Sequence, residues 1–442
     1  MQVRFWGTRG SLPKPGPMTL RYGGNTSCVE VRSDDGTLVV LDCGSGIHDL
    51  GLALVRARDG PMHGHLLVGH AHWDHIQGLP FFAPLFSDTD RWDLYAPGGR
   101  IQQLEASLAS LMSYDHHPIT LESLEAQVGL HDLTEGEFTI GGIRVITQFL
   151  HHPALTLGYR LEADGAVLVY ASDHEPHTLH PLAAGPGEPP IHHEDQRHVR
   201  FLAGADLVIH DSQYTMDDFP AKAGWGHTPM ERAVDYASAA GARRLALFHH
   251  DPEHDDDTVD AIVQRAAERA ANAPHKPDVF AAAEGQSVEL PRRPLSDRGV
   301  GPRPSALLPS EPPQAATVLV VEDDPDMLEL IRLHLGQEQL RVVCATDGEA
   351  ALRVAREERP SLMLLDLNIP FRDGFEVCRI LRADDEERLR DLPIVIVTGS
   401  RLEEEAVTEA FLAGATDFMM KPIKPPLLRS LVRGWLMRQR PG

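Results

Sequence analysis

The sequence predicts an α/β protein of two domains joined by a proline-rich linker. In the first part of the 442-residue chain, strand-like apolar runs end in histidine or aspartate, which is typical of a metal site at one end of a sheet. From Thr317 onward, five short apolar runs alternate with amphipathic segments, which indicates a doubly wound parallel sheet. Residues 291–316 contain seven prolines and no apolar periodicity. We therefore expect domains at residues 1–290 and 317–442.

The composition is that of a soluble protein from a reducing compartment. Apolar residues make up 42% of the chain and charged residues 24%, and no apolar run approaches the roughly 20 residues that span a bilayer. The first residues, Met-Gln-Val-Arg-Phe-Trp-Gly, predict a strand and lack the features of an export signal. Four cysteines are scattered without C-x-x-C spacing. We expect a cytoplasmic protein without a membrane partner.

The charge is acidic and uneven, which argues against nucleic acid as a partner. Residues 1–290 contain 20 Lys and Arg against 40 Asp and Glu, with no basic cluster. Because long nucleic acids are bound mainly by neutralising phosphates, DNA is not an expected partner. Of the 24 histidines, only His334 follows residue 290, so metal chemistry is expected in the first domain.

The first domain opens with strand-like runs, glycine turns and a helix, at Val3–Trp6, Ser27–Arg32, Thr37–Asp42 and Ile47–Arg58. Asp42 ends a strand, where it either holds a ligand histidine from outside the metal site or begins a turn. Arg9 and Lys14 lie in a Gly/Pro-rich loop. We interpret that loop as solvated, with contact to an anionic substrate as the alternative.

The stretch Leu-Leu-Val-Gly-His-Ala-His-Trp-Asp-His-Ile-Gln-Gly, residues 66–78, is the strongest chemical signal. Its His70, His72, Asp74 and His75 cannot all face one way on a strand or a helix, so we expect a tight loop after a buried strand. Imidazole nitrogens and a carboxylate suit zinc-like cations. His70 and His72 are expected to face one ion, and Asp74 and His75 a second.

Other predicted strands also end in residues that can bind metal. Their ends are followed by His151-His152, by Ser172-Asp173, by His210-Asp211 and by His249-His250. Within residues 174–199 we predict a loop over the site, with histidines that face solvent: His174, His177, His180, His192, His193 and His198. Thr228 and Glu231 predict a capping box, which places His227 just outside a helix N-terminus.

These motifs resemble those of the metallo-β-lactamase-fold hydrolases, and most closely the phosphodiesterase branch that includes ribonuclease Z. The resemblance covers the first 290 residues and implies an αββα sandwich. It rests on the loop from His70 to His75, on His152 six residues before Gly158-Tyr159, on the strand-ending Asp173 and on His249 after Leu-Ala-Leu-Phe. Distance to Gly158-Tyr159 favours His152 over His151, and His249 is favoured over His250.

The resemblance implies a complete dinuclear site. It assigns one zinc to His70, His72 and His152, the other to Asp74, His75 and His249, and a bridging role to Asp173. His227 matches the family's His-Ser-Thr element and His210-Asp211 its His-Glu element, so Asp74, His227 and Asp211 are the predicted catalytic residues. The related flavodiiron proteins typically carry Glu at the position of His72, so histidine there favours hydrolysis.

The expected reaction is hydrolysis of a small phosphodiester or a cyclic nucleotide. Two cations lower the pKa of a shared water, and His227, poised by Asp211, can give the leaving group its proton. The chain lacks an evident tRNA-clamping arm, which argues against tRNA. The alternatives are an acyl or lactam hydrolase, which needs a basic clamp that the sequence does not supply, and a non-catalytic signalling module.

Residues 317–440 resemble a response-regulator receiver. The resemblance implies that Glu322, Asp323 and Asp366 bind Mg²⁺, that Asp366 accepts a phosphoryl group, and that Thr398 and Lys421 contact it. Asp324 is a possible substitute in the acidic cluster. Phe418 is predicted as the aromatic switch, with a core phenylalanine as the alternative. Implied partners are a sensor histidine kinase or phosphotransfer protein in a phosphorelay, and possibly a second copy of the chain, with the hydrolase as the regulated output.

Overall fold

A computed structural model describes two compact units of the chain. The described residues are 1–98, 125–177, 193–292, 316–336, 340–399, 412–423 and 425–438, together with Ala109, Met112, Glu409 and Ala410. Nearly all of the predicted linker lies outside them. The domain boundaries therefore stay predictions.

Two seven-stranded sheets form the first unit in the described residues. The first sheet contains β1 (Gln2–Gly7), β2 (Cys28–Arg32), β3 (Leu38–Leu41), β4 (His63–Leu67), β5 (Arg91–Pro97), β6 (Gln127–Leu133) and β14 (Ser287–Glu289), in the order β14-β1-β2-β3-β4-β5-β6. The second contains β7 (Gly136–Ile140), β8 (Ile143–Leu150), β9 (Thr156–Ala163), β10 (Ala166–Ala171), β11 (Leu207–Asp211), β12 (Arg244–Phe248) and β13 (Asp278–Ala281), in the order β13-β12-β11-β10-β9-β8-β7.

Six α-helices accompany these sheets in the described residues. They are α1 (Ile47–Ala57), α2 (Trp73–Ile76), α3 (His193–Leu202), α4 (Phe219–Lys222), α5 (Met230–Ala239) and α6 (Asp256–Asn272), with short 3-10 turns at Pro17–Thr19, Leu79–Phe81 and Ala83–Phe86. Leu50 of α1 packs with Trp92 on the first sheet, and Val234 of α5 packs with Leu245 on the second. The inner faces meet where the Tyr159 hydroxyl donates to the carbonyl of Val68 at 2.6 Å. The predicted αββα sandwich is confirmed.

Strand direction gathers the chemistry at one edge of this sandwich. β3, β4 and β5 run parallel, as do β10, β11 and β12. β8 and β10 are both antiparallel to β9, so β8 ends at the same edge as β10. Since carboxyl ends of parallel strands meet at one edge, the residues that follow them come together there.

The capping box predicted from Thr228 and Glu231 does not form. α5 begins at Met230 without a side-chain cap. The Thr228 hydroxyl donates instead to the carbonyl of His174, and the Glu231 carboxylate accepts from the backbone of Met216. Tertiary partners have replaced the local capping box.

The second unit has the predicted five-stranded parallel sheet. Its elements are β15 (Thr317–Val321), α7 (Pro325–Gly336), β16 (Arg341–Ala345), α8 (Gly348–Glu358), β17 (Leu362–Asp366), α9 (Gly374–Arg382), α10 (Glu387–Arg390), β18 (Ile394–Thr398), β19 (Asp417–Met420) and α11 (Pro425–Arg438). The strand order is β16-β15-β17-β18-β19, and every neighbouring pair is parallel. This is the flavodoxin-like topology. Among the described residues, no helix is long and apolar enough to cross a membrane.

Candidate metal centre

Three histidines form the first ligand group at this edge. His70 and His72 leave β4 in an irregular loop, and His152 follows β8. Nε2 of His152 lies 3.1 Å from Nδ1 of His72, and the ring centres of His70 and His72 are 4.4 Å apart. One ligand atom from each residue lies within 4.8 Å of the others. The group can therefore surround a single cation.

Asp74, His75 and His249 form the second ligand group. Asp74 and His75 lie in the short helix α2, and His249 follows β12. Nε2 of His249 is 3.0 Å from Oδ2 of Asp74, and Nε2 of His75 is 3.3 Å from the same oxygen. The backbone N–H of Ser11 donates to that oxygen at 2.7 Å, a contact that the sequence did not suggest.

Asp173 lies between the two groups. Its Oδ1 is 3.9 Å from Nε2 of His70 and 3.9 Å from Nε2 of His152. Its Oδ2 is 3.1 Å from Nε2 of His75 and 3.5 Å from Nε2 of His249. Each carboxylate oxygen thus faces a different ligand group, which is the placement required of a bridging ligand.

Hydrogen bonds from outside fix the orientation of the ligand imidazoles. The Nδ1–H of His75 donates to Asp42 at 2.7 Å. Of the two alternatives given for Asp42, its position is thus that of a residue holding a candidate ligand histidine from outside the site. His249 donates from Nδ1 to the Gln213 side-chain oxygen at 3.0 Å, and His152 to the carbonyl of Gly226 at 2.9 Å. With Nδ1 protonated, each Nε2 carries a lone pair toward the centre. Sequence reasoning missed Gln213 and Gly226, because neither lies in a recognisable motif.

The backbone is unusual at three positions of the centre. Asp42, Asp173 and His249 have φ values of 60°, 61° and 62°, in the left-handed region that residues other than glycine rarely adopt. Each follows a buried strand, so the strand end turns sharply and presents its side chain to the centre. Such conformations persist where surrounding contacts impose them, commonly at functional sites.

Two glycines leave room for the ligands. A Cβ at Gly10 would lie 2.4 Å from Nδ1 of His249, and a Cβ at Gly226 would lie 2.1 Å from Nδ1 of His152. Gly226 also has a φ of 92°, which favours glycine. A side chain at either position would displace a ligand histidine.

The donor set fits metal cations. Both ring nitrogens of His70, and Nε2 of His75, are buried without a hydrogen-bond partner among the described residues. Burial opposes a charge on His75, yet Asp173, Asp74 and Asp42 raise its pKa well above the usual value. Burial lowers the pKa of His70 far below that value. Unpaired nitrogens beside carboxylates that attract positive charge are what a cation site provides.

His227 and Asp211 form a pair beside Asp173. Nδ1 of His227 donates to Oδ2 of Asp211 at 2.9 Å and lies 3.7 Å from Oδ1 of Asp173. Burial opposes protonation of His227, but Asp211, followed by Asp173 and Asp74, raises its pKa to about 9. The predicted proton donor is thus adjacent to the ligand groups and oriented by its predicted partner.

The neighbouring histidines point elsewhere. His151 donates from Nδ1 to the carbonyl of Glu175 at 2.9 Å and stacks on His177. His250 contacts the carbonyl of Ala282 at 3.0 Å through Nε2. The structure therefore brings His152 and His249 into the ligand groups.

The solvent exposure expected of the surrounding loops is found only in part. Lys14 is exposed as expected, whereas Arg9 is fully buried and donates to the carbonyls of Gly23, Asp251 and His254. His174, His177 and His198 are buried rather than exposed to solvent. His174 and His198 stack at 3.9 Å, and Nε2 of His198 lies 2.9 Å from Nε2 of His210. His180 and His192, and the His193 side chain, lie outside the described residues.

The receiver residues meet at the carboxyl ends of β15, β17, β18 and β19. Nζ of Lys421 lies 2.7 Å from both Oε2 of Glu322 and Oδ2 of Asp366. Thr398 is buried at the end of β18, while Asp323 is exposed. Asp324 accepts backbone N–H groups at the start of α7, which occupies it as a helix cap. Phe418 is partly buried against the core of this unit.

Comparisons with known proteins agree with the division of the chain into two units. Residues 37–250 match the beta-lactamase superfamily domain, and residues 318–433 the response regulator receiver domain. The DNA-binding response regulator MtrA of Mycolicibacterium smegmatis is 40% identical over 121 residues, 27% of this chain and 50% of that protein. The chain thus spans about half the length of the curated relatives it matches.

Two solved structures resemble the first unit. The metallo-beta-lactamase fold protein YhfI from Bacillus subtilis is 19% identical, with a TM-score of 0.45 over 65% of this chain and 98% of that one. Human tRNase Z, short form, is 19% identical, with a TM-score of 0.44 over 66% of this chain and 100% of that one. From its two matched family models and its two sheet architectures, the chain combines a beta-lactamase superfamily domain of metallo-β-lactamase fold with a response regulator receiver domain.

Proposed function

We propose that the first domain is a dinuclear, zinc-dependent phosphodiesterase for small phosphodiesters, cyclic nucleotides among them, and that phosphorylation of Asp366 regulates it. The observation that carries the proposal is the position of Asp173. Its two oxygens face different ligand groups, and the His227–Asp211 pair lies beside it. A bridged pair of cation sites next to an oriented acid is the arrangement that phosphodiester hydrolysis uses.

The ligand chemistry supports zinc. His70, His72 and His152 offer three imidazole nitrogens, and Asp74, His75 and His249 two nitrogens and a carboxylate, with Asp173 shared. Bound zinc would polarise a phosphoryl oxygen and bring the pKa of a water molecule toward neutrality. This donor set differs from the oxygen-rich sets that Mg²⁺ and Ca²⁺ prefer.

His227 and Asp211 supply the proton that an alkoxide leaving group needs. Because Nδ1 of His227 donates to Asp211, Nε2 is free to carry the proton that is transferred. Asp211 also accepts from the backbone of Gln213 and Thr228, so its carboxylate is held in place. Asp74 is held by the backbone N–H of Ser11, which fits a role as ligand and as an acceptor for the attacking water.

The exposed residues next to the centre support a substrate with a planar group. Trp73 lies between His72 and Asp74 in the chain and is 57% exposed, and Trp225 precedes Gly226 and is 62% exposed. Exposed indoles are favourable stacking partners for nucleobases. Two neighbouring cations are already engaged: Arg9 is internal, and Lys222 contacts Asp251 at 3.0 Å. An acyl substrate with a carboxylate therefore finds no evident clamp among these residues.

The proposal is tested by hydrolysis assays on the zinc-loaded full chain. Cyclic nucleotides, bis(p-nitrophenyl) phosphate and a chromogenic lactam are the substrates. We expect turnover of the phosphodiesters, loss of that turnover in Asp173→Ala, and retention in Asp164→Ala, a control in the turn between β9 and β10 with a similar left-handed φ of 56°. Lactam turnover without phosphodiester turnover would overturn the assignment, and so would full activity in Asp173→Ala.

The substrate class has a separate test. Trp73→Ala or Trp225→Ala should raise KM for a nucleotide by about 5–160-fold, the equivalent of about 1–3 kcal/mol of stacking, with little change for a dimethyl phosphodiester. Leu20→Ala is the matched control, because Leu20 is 79% exposed. Equal effects on both substrates would remove the argument for a planar group.

For the receiver, the contacts of Asp366 support the phosphoacceptor role. The Lys421 ammonium is positioned to bind phosphoryl oxygens, while Glu322 and Asp366 offer oxygens to Mg²⁺. Burial opposes a charge on Lys421, but Asp366 and Glu322 raise its pKa above the ordinary value and keep it cationic. A histidine kinase or phosphotransfer protein is the proposed phosphoryl donor.

A further inference from the structure

A second group of histidines surrounds Asp93, away from the centre described above. In the parallel strands β4, β5 and β6, His65 is paired with Asp93, and Asp93 with Gly129. Alternate residues of a strand share a face, so His63 and His131 lie on the same face as this row. His63, His65 and Asp93 are near the amino ends of β4 and β5, whereas His70 follows the carboxyl end of β4. Five residues of extended chain, roughly 16 Å, separate His65 from His70.

The side chains converge on one carboxylate. Nε2 of His63 lies 2.8 Å from Oδ2 of Asp93, and Nε2 of His131 lies 3.0 Å from Oδ1. Nδ1 of His65 is 3.8 Å from Oδ2 and is buried without a hydrogen-bond partner among the described residues. Ligand atoms of His63, His65 and Asp93 all lie within 4.8 Å of one another. Ligands about 2.0–2.1 Å from zinc are separated by about 3.3 Å in a tetrahedron, so small adjustments suffice for these three residues.

The surrounding structure makes room for this group and holds it. A Cβ at Gly129 would lie 2.3 Å from Oδ1 of Asp93, so glycine at this position permits the carboxylate to occupy its place. The rings of Tyr95 and His131 stack at 4.5 Å. Asp93 is 5% exposed, so its charge is largely shielded from water.

The protonation states are those of ligands. Burial, followed by the nearby His63, lowers the pKa of His65 to about 4, so the ring is neutral at physiological pH. Burial alone would raise the pKa of Asp93, but hydrogen bonds from His131 and His63 lower it to about 2. Metal binding requires this combination of neutral imidazole and ionised carboxylate. Arg91, 3.4 Å from Oδ1, is 58% exposed and can move into solvent when a cation binds.

We propose that His63, His65, Asp93 and His131 form a separate structural site for one zinc-class divalent cation that ties β4, β5 and β6 together. Three nitrogens and one carboxylate favour zinc over Ca²⁺ or Mg²⁺. Four protein ligands leave no open position, which is typical of structural rather than catalytic sites. Nδ1 of His65 is buried without a hydrogen-bond partner among the described residues, so a purely hydrogen-bonded cluster does not explain its position.

The test compares zinc content and thermal stability of the full chain in three forms. These are the wild type, the double variant His63→Gln/His131→Gln, and the control His48→Gln. His48 is a matched control, because it is exposed and pairs with Asp49 at 3.0 Å. Both residues of the double variant are partly exposed, so the variant is expected to fold; its circular dichroism at 20 °C verifies this.

After zinc loading and dialysis, the double variant should hold one zinc fewer than the wild type and the control. Excess zinc should raise the melting temperature of the double variant by about 5–10 °C less than it raises that of the wild type, as expected for loss of one site near saturation. Phosphodiesterase activity is not the readout, so failure of the proposed function leaves this test intact. Equal zinc content and equal zinc-induced shifts in all three forms would overturn the proposal and leave a hydrogen-bonded cluster.

Discussion

The substitution Asp42→Asn tests whether the hydrogen bond behind His75 controls metal binding. Asp42 is fully buried and accepts three hydrogen bonds, from His75 Nδ1 at 2.7 Å, from the Tyr170 hydroxyl at 2.6 Å and from the Gly69 N–H at 2.6 Å. Asparagine keeps the shape and tolerates the φ of 60°. Its amide has only one oxygen, however. If that oxygen keeps the Gly69 contact, an NH₂ group faces two donors.

His75 can relieve this clash by moving its proton from Nδ1 to Nε2. Nε2 is the nitrogen that faces Asp173 and Asp74, so the lone pair needed by a cation is lost. Loss of such an outer partner weakens metal affinity by about 10–100-fold, equivalent to about 1.4–2.7 kcal/mol. The effect should be confined to the ion held by Asp74, His75 and His249. The ion held by His70, His72 and His152 should be unaffected.

A competitive chelator titration of metal-free full-length protein measures both affinities. We expect one of two zinc equivalents to weaken in Asp42→Asn. In Tyr170→Phe, which removes only the phenol donor, we expect less than about a threefold change. Unchanged affinity for both equivalents would refute the tautomer argument. Equal weakening of both, with an unchanged melting temperature, would refute its confinement to one ion.

Three further predictions concern acid catalysis, regulation and pH. His227→Ala should keep its metal but lower kcat for alkyl phosphodiesters by about 10²–10⁴, with a smaller loss for nitrophenyl esters; equal losses on both would contradict the acid role. Asp211→Asn should move the alkaline limb of the pH–rate profile to lower pH, because the Asp211 carboxylate raises the pKa of His227. Beryllofluoride with Mg²⁺ should change the hydrolysis rate or sedimentation of the wild type but not of Asp366→Asn, and no change in the modified wild type would exclude this regulation. Burial and the adjacent His210 keep the pKa of His198 low, so the free energy of unfolding should fall as pH drops below about 6.5. In urea titrations, His198→Gln should reduce the slope of unfolding free energy against pH by up to about 1.4 kcal/mol per pH unit. An unchanged slope would show that His198 does not take up a proton on unfolding.

The ligand groups could be predicted from sequence because their members lie at strand ends or in one contiguous loop. Strand direction then places Asp173 and His249 at one edge of the second sheet, and the packing of the two sheets brings His70 from the end of β4 beside them. The choice between His151 and His152 needed a spacing argument, since the strand pattern places both at the same end. In the receiver, all strands are parallel, so the same rule placed Glu322 and Asp366 together.

Other features depend on tertiary structure that local patterns do not contain. A histidine-rich, polar segment predicts solvent exposure, yet His174 and His198 are buried because they stack on each other and on Tyr236. Arg9 is internal because three carbonyls from distant loops accept its hydrogen bonds. The Asp93 group was also missed, since its members are brought together by the register of three strands far apart in the chain.

The left-handed backbone at Asp42, Asp173 and His249 links these contacts to metal binding. At roughly 1–2 kcal/mol each, three such residues cost about 3–6 kcal/mol, a substantial share of the 5–15 kcal/mol that typically separates folded from unfolded protein. In the metal-free protein this cost is opposed by the bonds that hold Asp42 and His249 from outside. Asp173 has weaker protein support: its side chain accepts a hydrogen bond from Ser172 and otherwise faces imidazoles. Bridging two cations would compensate the strain at Asp173, where protein contacts compensate it least. We therefore expect folding and metal binding to be most directly coupled at this strand end.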